Sequence, residues 1–293
     1  MKPLTIVVAS DNHYIILLAA LIKSIEANIA SSQTIQIYII EDNISEANKK
    51  KLQLSINTTV TTLVWKEMTG VIPTGMKLPL DRSSYPLNIY MRLFIPYFIA
   101  EEIEKVLYLD VDMIVQKDVS TLFNIDLQNH VVAAVLDPRI ITFNNSWGGV
   151  LNYQELGLPG TTRYFNTGLL IMNTKIWREQ NVTEKIIDCI EQHKKFANYP
   201  DQYGLNVVLA NQWLELDPLW NHFSTIETTE KPFLIHFVER KPIYKAYNFS
   251  ETFKQIFYSY LQQTEWKNFR PIGESSRYIK KIKNILSKFI NKN

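Results

Sequence analysis

The chain of 293 residues has a single cysteine, Cys189, so no internal disulfide can form. That suits a reducing compartment. No segment approaches the ~18 uninterrupted apolar residues that a membrane-spanning helix needs. The N-terminal apolar run is cut by Asp11 and Asn12, too early for the apolar core of a secretion signal. The Asn-x-Ser/Thr triplets at Asn57 and Asn181 then reflect composition, and the expectation is a soluble cytoplasmic protein. Charge of one sign is also missing: 31 Lys and Arg face 29 Asp and Glu, a net of +2, too even for a nucleic-acid binder. No repeat, low-complexity tract or Gly/Ser linker divides the chain. What is present in quantity is apolar surface, 46% of residues with 12% aromatic, enough for one large core or a core with a small appendage.

Short β-branched runs alternate with helical patterns. Residues 5–9 (TIVVA), 34–40 (TIQIYII) and 60–65 predict strands, and so do 106–109, 131–136 and 168–172. Dense apolar residues over 15–25 predict a packed helix. Ser45 can cap the polar helix that follows the second strand, and Thr183 can cap one running to about Lys194. This order predicts an α/β layer fold with a mainly parallel sheet flanked by helices. One catalytic domain would fill 1–250, with a helical tail over 251–293.

Asp110 and Asp112 follow the most continuous apolar strand, in VLYLDVDMIV. Alternate residues of a strand face one side, so two carboxylates there repel each other and lose hydration. A divalent cation removes both penalties. Mg²⁺ and Mn²⁺ take oxygen ligands and share them with phosphates. The position just beyond a strand's carboxyl end is where α/β sheets bind ligands.

This segment resembles the DxD motif of retaining glycosyltransferase family 8, the group that holds bacterial lipooligosaccharide galactosyltransferases and glycogenin. The resemblance covers residues 4–245 and implies the GT-A fold. ASDNHY resembles A-x-D-x-x-Y, implying that Asp11 binds the uracil edge and Tyr14 stacks on its ring, with Ala9 beside them. Residues 88–93 resemble T-x-Y-x-R-L, implying that Arg92 reaches the donor diphosphate or sugar. An Arg among apolar residues needs a buried anion, which a structural ion pair would also supply. Asp137 matches a position near donor and acceptor sugars. Tyr164-Phe165-Asn166-Thr167-Gly168 resembles Y-F-N-[AST]-G, implying that Asn166 bonds the donor sugar. Asp201-Gln202 with Leu205-Asn206 resembles D-Q-D-x-L-N, implying that Asp201 binds sugar hydroxyls and Gln202 lies beside the anomeric carbon; the motif's third residue is Tyr203 here. His236 resembles the start of H-[FY]-x-G-x-x-K-P, implying a third metal ligand, with Lys241 on the β-phosphate. The motif's Gly is absent, the His-to-Lys spacing is one residue shorter, and Ile243 replaces the usual Trp.

The implied activity is transfer of galactose or glucose from a UDP-sugar to a glycan, glycolipid or glycoprotein acceptor with retention, assisted by Mn²⁺ or Mg²⁺. Asp110, Asp112 and His236 hold the metal, Val111 joins the donor contacts, and Gln202, Asp201 and Arg92 form the catalytic set. An imidazole with two carboxylates favours Mn²⁺ over Ca²⁺. Two other classes use related chemistry. A nucleotidyltransferase usually carries an N-terminal Gly-rich phosphate loop, and ASDNHY has no glycine. A non-catalytic sugar-nucleotide binder is compatible with Tyr203 and the altered His–Lys loop. The segment 138–160, containing WGG, is a candidate acceptor-side loop. The stretch 277–293 carries six basic residues and no acid, with Tyr278, Ile282, Ile285 and Phe289 at helical spacing; it predicts a basic amphipathic helix for the inner membrane face, or a solvated tail.

Overall fold

Residues 6–9 alternate between two interiors. Ile6 and Val8 belong to one buried cluster, Val7 and Ala9 to the other. The same split recurs at Leu107 and Leu109 against Val106 and Tyr108. Strands buried on both faces lie between two layers of helix, and each aliphatic side chain so buried contributes roughly 1.5–3 kcal/mol. The computed structural model describes residues 2–79, 85–275, 278–279 and 282.

Seven strands form the main sheet: β1 (Leu4–Asp11), β2 (Ile35–Asp42), β3 (Thr61–Glu67), β4 (Lys105–Leu109), then β6 (Val132–Leu136), β7 (Phe165–Asn173) and β8 (Trp213–Glu215), with the short β5 (Met113–Val115) outside it. Their order is β3-β2-β1-β4-β7-β6-β8. All pairs are parallel except those that β7 makes with β4 and β6. A second sheet pairs β5 with β10 (Leu234–His236), which also pairs with β9 (His222–Phe223).

Helix α1 (Ile15–Asn28) is apolar almost all round, and residues 15–22 are all buried. A helix of that kind belongs inside. Helix α2 (Glu46–Ser55) is capped by Ser45, whose hydroxyl accepts from the Asn48 N–H. Helix α3 (Val182–Gln192) departs from expectation: its cap position is Asn181, at φ +51°. Thr183 is fully buried, and its hydroxyl accepts from Trp177 Nε1 at 2.8 Å while donating to Leu93 O at 2.6 Å. Those tertiary partners outbid a local cap. Helix α4 (Pro200–Val208) packs on α3 through Gly204, where a Cβ would lie 2.8 Å from Ile186 and Ile190 carbons. Helix α5 (Glu251–Leu261) buries Phe253, Phe257 and Leu261 in the core that also holds α1.

The topology gathers the motifs. Because β7 runs against β4 and β6, its first residues lie where those two strands end. The carboxyl ends of β1, β4 and β6 and the start of β7 therefore share one edge of the sheet. The β5–β10 pairing sets His236 opposite Met113, next to Asp112.

No helix among the described residues is long and apolar enough to cross a membrane. The stretch 277–293 lies outside the described residues except for Tyr278, Ile279 and Ile282, whose side chains are exposed.

Candidate active site

Leu109 is the last residue of β4, and the acids beyond it leave the strand. Val111-Asp112 is a turn between β4 and β5, so the acids lie just beyond the strand's end, as the sequence places them, and not at alternate positions within a strand. The reason is local pairing: the Asp110 N–H donates to Gly168 O at 2.8 Å, and the Phe237 N–H donates to Asp112 O at 2.9 Å. The turn lets both carboxylates converge on His236. One ligand atom from each of Asp110, Asp112 and His236 falls within 4.8 Å of the others. His236 Nε2 lies 3.4 Å from Asp112 Oδ1 and 4.0 Å from Asp110 Oδ2.

Gly168 makes room for this triad. A Cβ there would sit 2.6 Å from His236 Cε1 and 2.8 Å from Met113 Cε. Asn221, which no sequence motif marks, orients the imidazole. Its Oδ1 accepts from His236 Nδ1 at 2.9 Å, leaving Nε2 to face the carboxylates. Such a partner fixes both the tautomer and the ring plane of a ligand histidine.

From Asn221 a chain of amides runs across the sheet edge. Asn221 Nδ2 donates to Asn166 Oδ1 at 2.8 Å, and the Gly168 N–H donates to the same oxygen at 3.0 Å. Asn166 Nδ2 donates to Asp137 Oδ2 and to Gln202 Oε1, both at 3.1 Å. Gln202 Oε1 also accepts from the Thr167 N–H at 3.2 Å, and Gln202 Nε2 reaches Asp137 Oδ2 at 3.3 Å. Asp137 Oδ1 takes the N–H groups of Arg139 and Ile140. Asn206 locks α4 to β7: it accepts from Phe165 N at 2.8 Å and donates to Phe165 O and Gln202 O at 2.9 Å.

Arg92 lies in a 3-10 helix, Leu87–Phe94, and is buried. The anion it needs is provided twice: Nη2 is 3.0 Å from Asp110 Oδ1, and Nε is 3.3 Å from Asp201 Oδ2. Nη1 donates to Thr167 O, and the guanidinium stacks 4.5 Å over the Tyr108 ring. Tyr108 in turn donates to Asp110 Oδ1 at 2.8 Å. Arg92 therefore braces one carboxylate of the triad against α4. Burial raises the Asp201 carboxyl, and Arg92 only partly offsets that. Burial also acts on Asp112, but the Lys241 ammonium and His236 outweigh it and hold that carboxyl well below the usual range. Lys241 Nζ contacts Asp112 Oδ2 and donates to Phe237 O at 2.7 Å.

At the end of β1, Asp11 Oδ1 accepts from the N–H groups of His13 at 3.0 Å and Tyr14 at 2.9 Å, closing the turn into α1. Tyr14 is partly buried, and burial followed by Tyr244 raises its phenol well above the ordinary value. Tyr244 OH also bonds His13 Nε2 at 2.8 Å. Ala9 and Val111 are buried close to these ends. The shortened loop after His236 is held from behind: Tyr258 OH donates to Pro242 O at 3.0 Å, and Ile272 N donates to Ile243 O at 2.9 Å. Glu239 stands at the position of the missing motif glycine and adopts φ +63°. Tyr203 turns away from the amide chain; its hydroxyl donates to Asn152 Oδ1 at 2.9 Å inside the 138–160 loop.

The sequence model described as glycosyl transferase family 8 matches residues 5–243. The chain is 29% identical over 281 residues to General stress protein A of Bacillus subtilis (strain 168), covering 89% of this chain and 94% of that protein. It is 27% identical to Glycosyltransferase GlyA of Streptococcus pneumoniae serotype 4, over 89% of this chain but only 35% of that longer protein. Among solved structures, galactosyltransferase LgtC in complex with donor and acceptor sugar analogues superposes with a TM-score of 0.73 at 22% identity, over 91% of this chain and 100% of that one. That likeness shows the GT-A fold.

Proposed function

The chain belongs to glycosyl transferase family 8, and from that premise we propose that it moves a hexose, galactose or glucose, from a UDP-sugar to a glycan, glycolipid or glycoprotein acceptor with retention at the anomeric carbon. The observation that carries this reading is the amide chain from His236 through Asn221 and Asn166 to Gln202 and Asp137. It ties a metal-type triad to a cluster of buried polar side chains of fixed geometry. A triad that only bound phosphate would not need it.

The residues fit a divalent ion, and the donor set of two carboxylates and one imidazole favours Mn²⁺. When bound, the ion would supply positive charge to the departing diphosphate. Lys241, beside Asp112, adds a second positive group on that side. Arg92 acts one step back by holding Asp110 and Asp201.

Gln202 argues against a double displacement. An amide oxygen is a weak nucleophile, and this one already accepts from Asn166 Nδ2 and the Thr167 N–H. We favour attack from the face of the leaving group. The acceptor oxygen bonds the anomeric carbon as the carbon–oxygen bond to phosphate breaks. The electron pair leaves with UDP, and the acceptor's proton goes to the same phosphate. The Gln202 dipole stabilises the oxocarbenium-like charge in between.

The test is incubation of the full chain with Mn²⁺ and a panel of sugar nucleotides, reading UDP release. Slow hydrolysis confined to UDP-hexoses supports the reading. Pyrophosphate release, or tight UDP binding with no turnover when acceptors are supplied, overturns it.

A further inference from the structure

We propose that Trp147, with Arg139 and Tyr199, forms a stacking platform for a pyranose ring of the acceptor, so that the acceptor is a saccharide at the accepting end. This rests on the glycosyl-transfer reading above.

Trp147 is 57% exposed on the 138–160 loop. Its backbone is pinned: Asn145 Oδ1 accepts from the Trp147 N–H at 3.0 Å and the Gly148 N–H at 3.3 Å, and Asn145 Nδ2 donates to Arg139 O at 3.1 Å. Behind it the loop has a core of its own, with Ile140, Phe143, Val150 and Tyr203. Gly148 presses on that core, since a Cβ would come 2.7 Å from Ile140 Cδ1 and 3.3 Å from Tyr199 Cε2. Folding gains little from an indole held outward in this way. A preorganised aromatic surface gains affinity for a ligand instead.

The platform abuts the site. The Arg139 guanidinium lies 5.4 Å from the Trp147 ring centre on one side and 4.9 Å from Phe223 on the other. Phe223 packs edge-on to His236 at 5.5 Å. The Arg139 N–H bonds Asp137 Oδ1 at 2.9 Å. Tyr199, 6.0 Å from Trp147, immediately precedes the helix that carries Asp201 and Gln202. Its phenol is raised chiefly by burial and also feels Arg139, Asp137 and Glu239.

The chemistry fits a sugar. A pyranose has an apolar C–H face and a rim of hydroxyls, which matches an indole face edged by charged groups. Arg139 is paired with Glu239 at 2.8 Å, so the rim offers donors and acceptors together and no net positive charge for a phosphate headgroup.

The experiment uses the full chain with methyl β-galactopyranoside and methyl β-glucopyranoside as probes and glycerol as a ring-free control. Saturation-transfer NMR without donor reads binding. In parallel, the ratio of transfer to hydrolysis is measured with a UDP-hexose and Mn²⁺. We expect pyranoside signals above glycerol, a loss of roughly tenfold in signal and in ratio for Trp147→Ala, and recovery in Trp147→Phe. Damage to the fold would lower transfer and hydrolysis together and leave the ratio in place. Pyranoside signals equal in wild type and Trp147→Ala, or no stronger than glycerol, overturn the platform. Pyranoside binding that depends on Trp147 in a protein that consumes no UDP-hexose upholds the platform and overturns the donor reading.

Discussion

His236 and Asn221 are bonded at 2.9 Å through Nδ1 and Oδ1, and this contact decides which imidazole nitrogen faces Asp110 and Asp112. Asn221→Ala should weaken Mn²⁺ binding by about 10- to 100-fold, the usual cost of removing the partner of a ligand histidine. Calorimetric titration with Mn²⁺ reads it. Unchanged affinity would mean the ring is held by packing on Phe223 alone.

Gly168→Ala pushes a methyl group against His236 and Met113. Overpacking of this kind costs roughly 1–3 kcal/mol. The variant should unfold at lower urea and bind Mn²⁺ less well, because His236 must give way. Wild-type behaviour in both measurements would mean that β7 shifts to absorb the methyl group.

Arg92→Met leaves Asp110 and Asp201 without their shared cation. Breaking a buried pair from one side costs about 3–5 kcal/mol. Urea unfolding without metal should report that loss. Arg92→Lys should recover only part of it, since one ammonium cannot reproduce the fork that spans both acids and Thr167 O.

Gln202→Ala removes the acceptor for Asn166 and Thr167 without touching the triad. We expect kcat to fall by about 100-fold, with the KM for the UDP-sugar changed far less. Turnover equal to wild type would rule out any part for this side chain in the reaction.

Burial pushes the Cys189 thiol up to about 11. The unfolded thiol ionises near ~8.5. A raised pKa stabilises the folded state below the unfolded value, and that contribution falls as pH rises from ~8.5 towards the folded value. Alkylation by iodoacetamide at pH 8 should therefore be slow in the native protein and fast in urea. Equal rates would mean that the thiol is exposed.

The long strands were legible because 106–109, 131–136 and 168–172 are continuous apolar runs, while 5–9 and 34–40 are short runs rich in β-branched residues ended by turn residues. The short β5, β8, β9 and β10 were not, since two or three residues carry no periodicity. They exist because neighbouring backbones pair with them. Asp110, Asp112 and His236 were legible as a set only through family resemblance, and the structure brings all three together. Asn221 carried no signal: an Asn in PLWNHF has no local pattern, and its role comes from a fold contact with a residue 15 positions away. Thr183 misled because a hydroxyl before an apolar stretch reads as a cap whether or not a tertiary acceptor takes it first. Tyr203 looked like a departure within the donor motif, but the helix turns it towards Asn152 and the loop core.

The pairing of β6 with β7 slips at Ala134 and Val135: Ala134 stands opposite Leu170, while Val135 stands opposite Asn166. That irregularity aims Asn166 and Gly168 at their partners while the rest of β7 keeps step with β4. Adding or deleting one residue there would reverse the facing of every following side chain in a strand held on both sides. Drift in length is thereby channelled outward. The 138–160 segment leaves the sheet before β7 begins and meets no such constraint at its exposed positions, while the strand beside it must keep its count.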